Sequence, residues 1–274
     1  MNKFYVITNH DKDSDLELTN LICRYLLENN CTCTYRDGYA VKELVPKDCE
    51  CAIVLGGDGT LVQAARELCN LNIPVLGVNV GTLGYLTEIN KDQIIPALNM
   101  LIEDKYFVDN RMMLHGKVVR DNEVVYSDIA INDIVLNRIG SLQIISFDIN
   151  VNGEYLTTYP ADGLIVSTPT GSTAYNLSAG GPIVKPQTDV MVVTPICPHV
   201  LNKSSLIFDG NDVLEIVLKP SRNGEEERVV SFDGANYYNL VSGDRIVISK
   251  SEYTAQFLHT GRHNFLQILR NKMS

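Results

Sequence analysis

Three short stretches carry residue types that could do chemistry. Gly56-Gly57-Asp58-Gly59-Thr60 sets a carboxylate among glycines, between an apolar run and a helix-like one. Glycines there tolerate positive φ and let a ligand touch the backbone. Free amides at the start of the following helix suit a phosphate or pyrophosphate. Asp58, at the carboxyl end of a strand, lies where open α/β sheets bind ligands. It could take a proton from a hydroxyl that attacks phosphorus, or help to hold Mg²⁺. A tight strand-to-helix turn with Asp58 as N-cap is the plainer reading, and the weaker one, because an acid beside a phosphate calls for a chemical reason. The sequence has no Walker motif and no G-x-G-x-x-G, so the common nucleotide cradles are absent.

The second stretch runs from Asp162 to Tyr175, an apolar strand entering a loop dense in hydroxyls and glycine, followed by Gly180-Gly181. Its neutral hydrogen-bonding groups suit a sugar or a base, and Tyr175 adds an aromatic face and a hydroxyl. Such loops are as often only loops. The third is Asn132-Asp133 inside a strand-like run. Adjacent side chains on a strand point to opposite faces, so one of the two polar groups faces the interior unless the strand ends there. A buried amide or acid needs a partner, either a ligand or an internal polar network.

These residues must be positioned by two kinds of structure. Over the first hundred or so residues, apolar strands at Phe4–Thr8, Cys31–Tyr35, Ala52–Leu55 and Val75–Val80 alternate with helices at Leu16–Leu27, Leu61–Cys69 and Ile94–Ile102. That alternation predicts a doubly wound parallel sheet. After Tyr106 the pattern becomes strand-rich. A hairpin is expected over Leu114–Arg120 and Val124–Tyr126 about Asp121-Asn122. Further strands are expected at Ile129–Leu136, Ile144–Val151, Leu164–Ser167, Val190–Thr194, Leu214–Leu218, Val229–Phe232 and Arg245–Ser249. The expected fold is α/β plus all-β: an N-terminal doubly wound α/β domain over 1–104, to which a tail at 256–274 returns, and a β-rich, β-sandwich-like domain over 105–255. Asn264–Lys272 reads as a helix within that tail, and Glu225–Glu227 as a solvated loop.

Composition narrows the function. The 274 residues carry a formal net charge of −10, which gives no basic field for nucleic acid or an anionic membrane. An anionic nucleotide would have to be held locally by backbone amides, a metal ion or a few cations. Arg111, Arg138 and Lys185 are candidates among which the sequence does not choose. The first residues are too short an apolar run for a signal peptide, and no later run reaches membrane-spanning length. The seven cysteines include C-x-C pairs at Cys31/Cys33 and Cys49/Cys51, a spacing that suits packing on one face of a strand more than metal binding. A reduced, cytoplasmic protein is expected.

Taken in order, Gly56–Thr60, Asn132-Asp133, Asp162–Tyr175, Thr194–His199 and Ser231–Gly234 resemble the motifs of the NAD kinases. Lipid kinases and phosphofructokinases have turns similar to the first motif; the long Asp162–Tyr175 stretch is the specific one. The resemblance implies an enzyme that moves the γ-phosphoryl of ATP, with Mg²⁺ or another divalent metal, onto a ribose hydroxyl of NAD, and a site in the cleft between the two domains. Asp58 resembles the family's catalytic aspartate, flanked by Gly57 and Gly59. Asn132 and Asp133 match the pair that bonds the dinucleotide, with Asp133 one methylene shorter than the usual Glu. Thr173, Ala174 and Tyr175 resemble the adenosine-contacting segment, with Ser178 close by. Asp162 matches an acid near the nicotinamide end, and Asp233 another site residue, followed here by Ala235 where relatives often carry a base. His199 stands in a matching segment and reads as structural. The resemblance also implies a homodimer or homotetramer built through the β domain. Two other readings share parts of this pattern: a lipid or sugar kinase with the same acidic turn, and a non-catalytic dinucleotide-binding regulator.

Overall fold

The computed structural model describes residues 1–38, 40, 42–81, 84–87, 89–140, 144–200, 203–220, 227–261 and 265–273. The chain divides into two compact units, Met1–Arg111 with Thr254–Ser274, and Met112–Tyr253.

The first unit begins with β1 (Lys3–Thr8), α1 (Glu17–Glu28), β2 (Thr32–Asp37), β3 (Cys51–Gly56), α2 (Asp58–Leu68), β4 (Val75–Asn79) and α3 (Ile94–Ile102). The four strands pair in parallel in the order β2-β1-β3-β4. β3 and β4 are buried along their whole length, as expected of central strands covered on both faces. Ile22 and Leu26 of α1 and Leu98 and Leu101 of α3 close over Phe4, Val6, Ile53 and Leu55. α2 starts at Asp58, earlier than the apolar spacing from Leu61 predicts, because Gly57 is extended (φ −101°, ψ −174°) and the helix follows at once.

The second unit takes over along β5 (Phe107–Arg120), which pairs antiparallel with β6 (Glu123–Ala130). The connecting Asp121 and Asn122 both have positive φ (51° and 66°), the backbone of a type I′ turn that Asp and Asn tolerate. Then come β7 (Asp133–Ile139), β8 (Ile145–Val151), β9 (Glu154–Ala161), β10 (Gly163–Ser167), the short α4 (Tyr175–Ser178), β11 (Val190–Ile196), β12 (Leu206–Asp209), β13 (Leu214–Leu218), β14 (Glu227–Phe232), β15 (Asn236–Leu240) and β16 (Arg245–His259). One sheet has the order β12-β11-β10-β7-β14-β15, antiparallel throughout. A second antiparallel set runs β16-β13-β8-β9. Alternate residues of the two, such as Ile134, Leu136, Val230 and Phe232 against Phe147, Ile149, Ile216 and Ile248, interleave in one core.

β16 carries the chain back to the first unit, where Phe257 pairs with Val75, and α5 (Phe265–Met273) ends it. An α/β unit followed by a β-rich one agrees with the expected fold. Three strands escaped the sequence reading: β9, β12 and β15. The strand expected over Ile129–Leu136 is broken at Ile131-Asn132. Glu225 and Glu226 lie outside the described residues. No helix among the described residues is long and apolar enough to cross a membrane.

Candidate active site

Residues singled out by the sequence collect in two places, one in each unit. In the first, β3 delivers the chain to Gly56 and α2 opens on Asp58, an acid placed where the helix dipole favours it. Asp58 is not the N-cap; Gly57 holds that position. The Asp58 carboxylate instead reaches the segment after β4. Its Oδ2 accepts the Tyr85 N–H at 2.5 Å. Its Oδ1 accepts the N–H groups of Leu86 (3.1 Å) and Thr87 (3.0 Å) and the Thr87 hydroxyl (3.2 Å). Each carboxylate oxygen has about two lone pairs. Oδ1 is therefore saturated, while Oδ2 keeps one acceptor direction. Gly84 lies so close that any side chain there would collide with the carboxylate. At Gly57 and Gly59, by contrast, a Cβ would meet nothing within 4 Å, so the turn's backbone is open to a ligand. Thr60 packs on Gly56 and accepts a bond from Asn9 Nδ2 at 3.1 Å, tying the loop after β1 to the turn.

In the second unit a cavity of about 390 Å³ is lined by Asn132, Asp133, Val135, Asn137, Ala174, Tyr175, Val229, Ser231, Asp233 and Gly234. The period of the strands explains the set. Residues 133, 135 and 137 of β7 and 229 and 231 of β14 face the cavity, while Ile134, Leu136, Val230 and Phe232 go into the core. Asp233 adopts a left-handed backbone (φ 51°) and turns its carboxylate onto three successive N–H groups. It accepts from Ile131 at 2.8 Å, Asn132 at 2.7 Å and Asp133 at 3.2 Å. Those amides are diverted from strand pairing, which is why the expected strand breaks here and β7 starts at Asp133. Asp133 itself is 5% exposed. Burial, and then the neighbouring Asp233 charge, push its carboxyl up to about 7.

The hydroxyl-rich loop after β10 uses most of its polar groups on itself. The Thr168 hydroxyl donates to Ile131 O (2.6 Å) and accepts the Gly171 N–H (3.0 Å). The Ser172 hydroxyl donates to Pro169 O (2.6 Å) and accepts the Val184 N–H (3.0 Å). Asn176, fully buried, donates to Ser172 O and Pro182 O and accepts from Thr194 Oγ1. Gly171 packs directly on the Asn132 backbone. The network fixes the loop against the Asn132 corner and leaves Ala174 and Tyr175, the latter 42% exposed, on the cavity wall.

The remaining expected residues stand elsewhere in the second unit. Thr173 is half-buried and bonds Thr170 O at 3.3 Å; Ser178 is exposed at the end of α4. Asp162 accepts from Arg138 Nε at 2.9 Å, so that arginine is engaged. Arg111, in the first unit, is 1% exposed and held by Asp109, whose Oδ2 takes its Nε at 2.8 Å and Nη2 at 2.6 Å. Burial opposes the Asp109 charge, but bonds from His259 and Arg111 hold its carboxyl well below the usual range. Lys185 and His199 are exposed, and all seven cysteines are free thiols. Sequence reasoning missed Gly84–Thr87, which clamp Asp58, and Val135 and Asn137 on the cavity wall. The Gly81/Gly84 pair after a buried strand was the one available signal for the clamp.

An α/β unit with an acidic glycine turn, and a β-sandwich unit whose cavity carries Asn132, Asp133, Asn137 and Tyr175 on its wall, define the class of protein. The ATP-NAD kinase N-terminal domain family matches residues 38–106, and the ATP-NAD kinase C-terminal domain family matches 131–260. Among curated relatives, the NAD kinase of Lachnospira eligens is 47% identical over 293 aligned positions, with all of both chains covered. That of Lachnoclostridium phytofermentans is 43% identical, with 99% of each covered. The fold is similar to an NAD kinase from Archaeoglobus fulgidus in complex with ATP (TM-score 0.80, 22% identity, 98% of each chain). It is also similar to yeast NADH kinase complexed with NADH (TM-score 0.82, 24% identity, 100% of this chain and 87% of that one). The chain belongs to the NAD kinase family.

Proposed function

We propose that this protein moves the γ-phosphoryl of ATP onto the 2′-hydroxyl of the adenosine ribose of NAD, giving NADP and ADP. The observation that carries this reading is the fixed carboxylate of Asp58 beside an open glycine turn. Binding a dinucleotide requires no carboxylate next to a phosphate, whereas proton removal from an attacking hydroxyl does. In the step, the ribose oxygen forms a bond to the γ-phosphorus and the bond from that phosphorus to the β-γ bridging oxygen breaks. The hydroxyl proton passes to Asp58, whose Oδ2 has the free acceptor direction.

The finer roles follow the same reading. Asn132 and Asp133 bond the dinucleotide within the cavity of the second unit, and Ala174 and Tyr175 bound its adenosine. Asp233 acts on the ligand through the backbone it holds. Thr173, Ser178 and Asp162 are assigned to the dinucleotide by family likeness. Gly57 and Gly59 give the ATP phosphates access to the backbone in the first unit. Among the described residues no group of three or more His, Cys, Asp or Glu could hold a metal by itself. Mg²⁺ or another divalent ion fits here as a passenger on the ATP phosphates, with Asp58 the acid nearest the turn. It would supply neutralisation of the transferred charge.

We infer a homodimer or homotetramer assembled through the β-rich unit, a reading supported by exposed Val124, Tyr155 and Leu156 on its strands. Free thiols throughout suit a reducing, cytoplasmic setting. The deciding experiment is NADP formation by purified protein from NAD, ATP and Mg²⁺, beside Asp58→Asn. A folded, NAD-binding variant with turnover reduced by orders of magnitude supports both function and role. A well-folded wild type that makes no NADP with ATP or polyphosphate overturns the reading.

A further inference from the structure

Transfer from a nucleoside triphosphate needs positive charge close to the phosphates, and this chain carries a formal net charge of −10. The cations that drew attention in the sequence do not supply it in the first unit: Arg111 is buried against Asp109. Two lysines from distant parts of the sequence do stand beside the chain that follows β4, one at Gly81 and the other at Tyr85 of the clamp. Lys12, in the loop after β1, brings its Nζ to 3.7 Å from where a Cβ on Gly81 would lie. Lys272, in α5, places its Nζ 5.4 Å from the centre of the Tyr85 ring. The N–H of that same Tyr85 is the donor to Asp58 Oδ2. Both lysines are exposed, and among the described residues neither is paired with a carboxylate.

The topology explains the convergence. β1, β3 and β4 are parallel, so the loops carrying Asn9–Lys12, Gly57–Thr60, and Gly81 with Gly84–Thr87 leave the sheet at one end, where open α/β sheets take ligands. The bond from Asn9 Nδ2 to Thr60 Oγ1 ties the first of these loops to the second. Lysine suits a triphosphate here. Its ammonium is a compact charge with three donors on a flexible stem, able to follow oxygens that move during transfer.

We propose that Lys12 and Lys272 grip the phosphates of the ATP donor, one from the N-terminal loop and the other from the C-terminal helix; this rests on the reading of the protein as an ATP-dependent kinase. The grip neutralises charge on the triphosphate and aligns it with the glycine turn, while NAD binding is independent of it.

The test uses the full chain with Lys12→Met, Lys272→Met and the two Arg variants. Mg·ATP affinity is measured by titration calorimetry, and KM is measured for ATP and for NAD. Each Met variant is expected to weaken ATP binding and raise the KM for ATP by about tenfold. The double variant is expected to lose more than either, with the KM for NAD within about twofold of wild type. Each Arg variant should retain most of the affinity. Met variants that bind and use ATP like an active wild type overturn the grip and leave the kinase reading intact. So do variants that weaken ATP and NAD alike, or that lower Tm without changing ATP affinity. A folded wild type without NADP formation overturns the kinase reading instead.

Discussion

Asp58 and Gly84 are packed so tightly that a methyl group on Gly84 would overlap the Asp58 carboxylate. The glycine is required by this approach, and Tyr85, Leu86 and Thr87 then present their N–H groups in succession to the same acid. Gly84→Ala should push the carboxylate out of line. A displacement near 1 Å costs about a hundredfold in turnover. The expected result is a kcat lower by about that factor with Tm and NAD affinity little changed. Wild-type kcat in a folded alanine variant would show that Asp58 needs no clamp.

Thr87 offers a finer probe. It is 1% exposed and its hydroxyl donates to Asp58 Oδ1 at 3.2 Å. Thr87→Val keeps the shape and the backbone donor and removes only that bond. We expect kcat to fall by roughly tenfold, with the KM values for both substrates unchanged and with Thr87→Ser close to wild type. An equal loss in the serine variant would assign the effect to packing.

Asp133 should make stability pH-dependent. Its carboxyl is pushed up to about 7 in the folded protein, from an ordinary value of 3.8. The native state therefore holds this proton more tightly than the unfolded chain does. The stabilisation is fully present below pH 3.8 and is lost as pH rises towards 7, with an upper bound on the order of 4 kcal/mol. Asp133→Asn carries no such charge. Thermal unfolding of ligand-free protein should show the variant gaining on wild type between pH 5 and about pH 8. Parallel Tm profiles across that range would mean that Asp133 titrates normally.

Asp233 holds the corner from which Asn132 and Asp133 face the cavity. Asp233→Ala leaves three amides without their acceptor, a loss of about 1–3 kcal/mol for each that stays buried. Asp233→Asn keeps one carbonyl oxygen for them and should lose less. Urea unfolding midpoints rank the three proteins, and the KM for NAD should rise in the same order. Equal midpoints for the alanine and asparagine variants would contradict this role.

What the sequence made legible was local. The apolar spacing over Ile94–Ile102 gave that helix to the residue, and the Asp121-Asn122 pair gave the hairpin turn. β9 stayed hidden because Glu154–Ala161 buries little beyond Tyr159 and Ala161 and so shows no clean alternation. The Asp58 turn stood out as a local pattern of glycines and an acid, but the bonds that fix it come from residues 27 to 29 positions away. The Asp233 bonds span about a hundred positions. Spacing rules reach only a few residues, so neither clamp could be read from them. The hydroxyl loop was read as a set of groups for a ligand; the fold spends most of them on holding the loop.

The return of the chain along β16 has a consequence for the order of folding. Leu258, 2% exposed, belongs to the core of the first unit, yet it lies after all of the second. During synthesis the N-terminal strands leave the ribosome with that part of their core still untranslated, and all of Met112–Tyr253 is made before Leu258 can join them. The unit that starts first is thus the one whose core closes last.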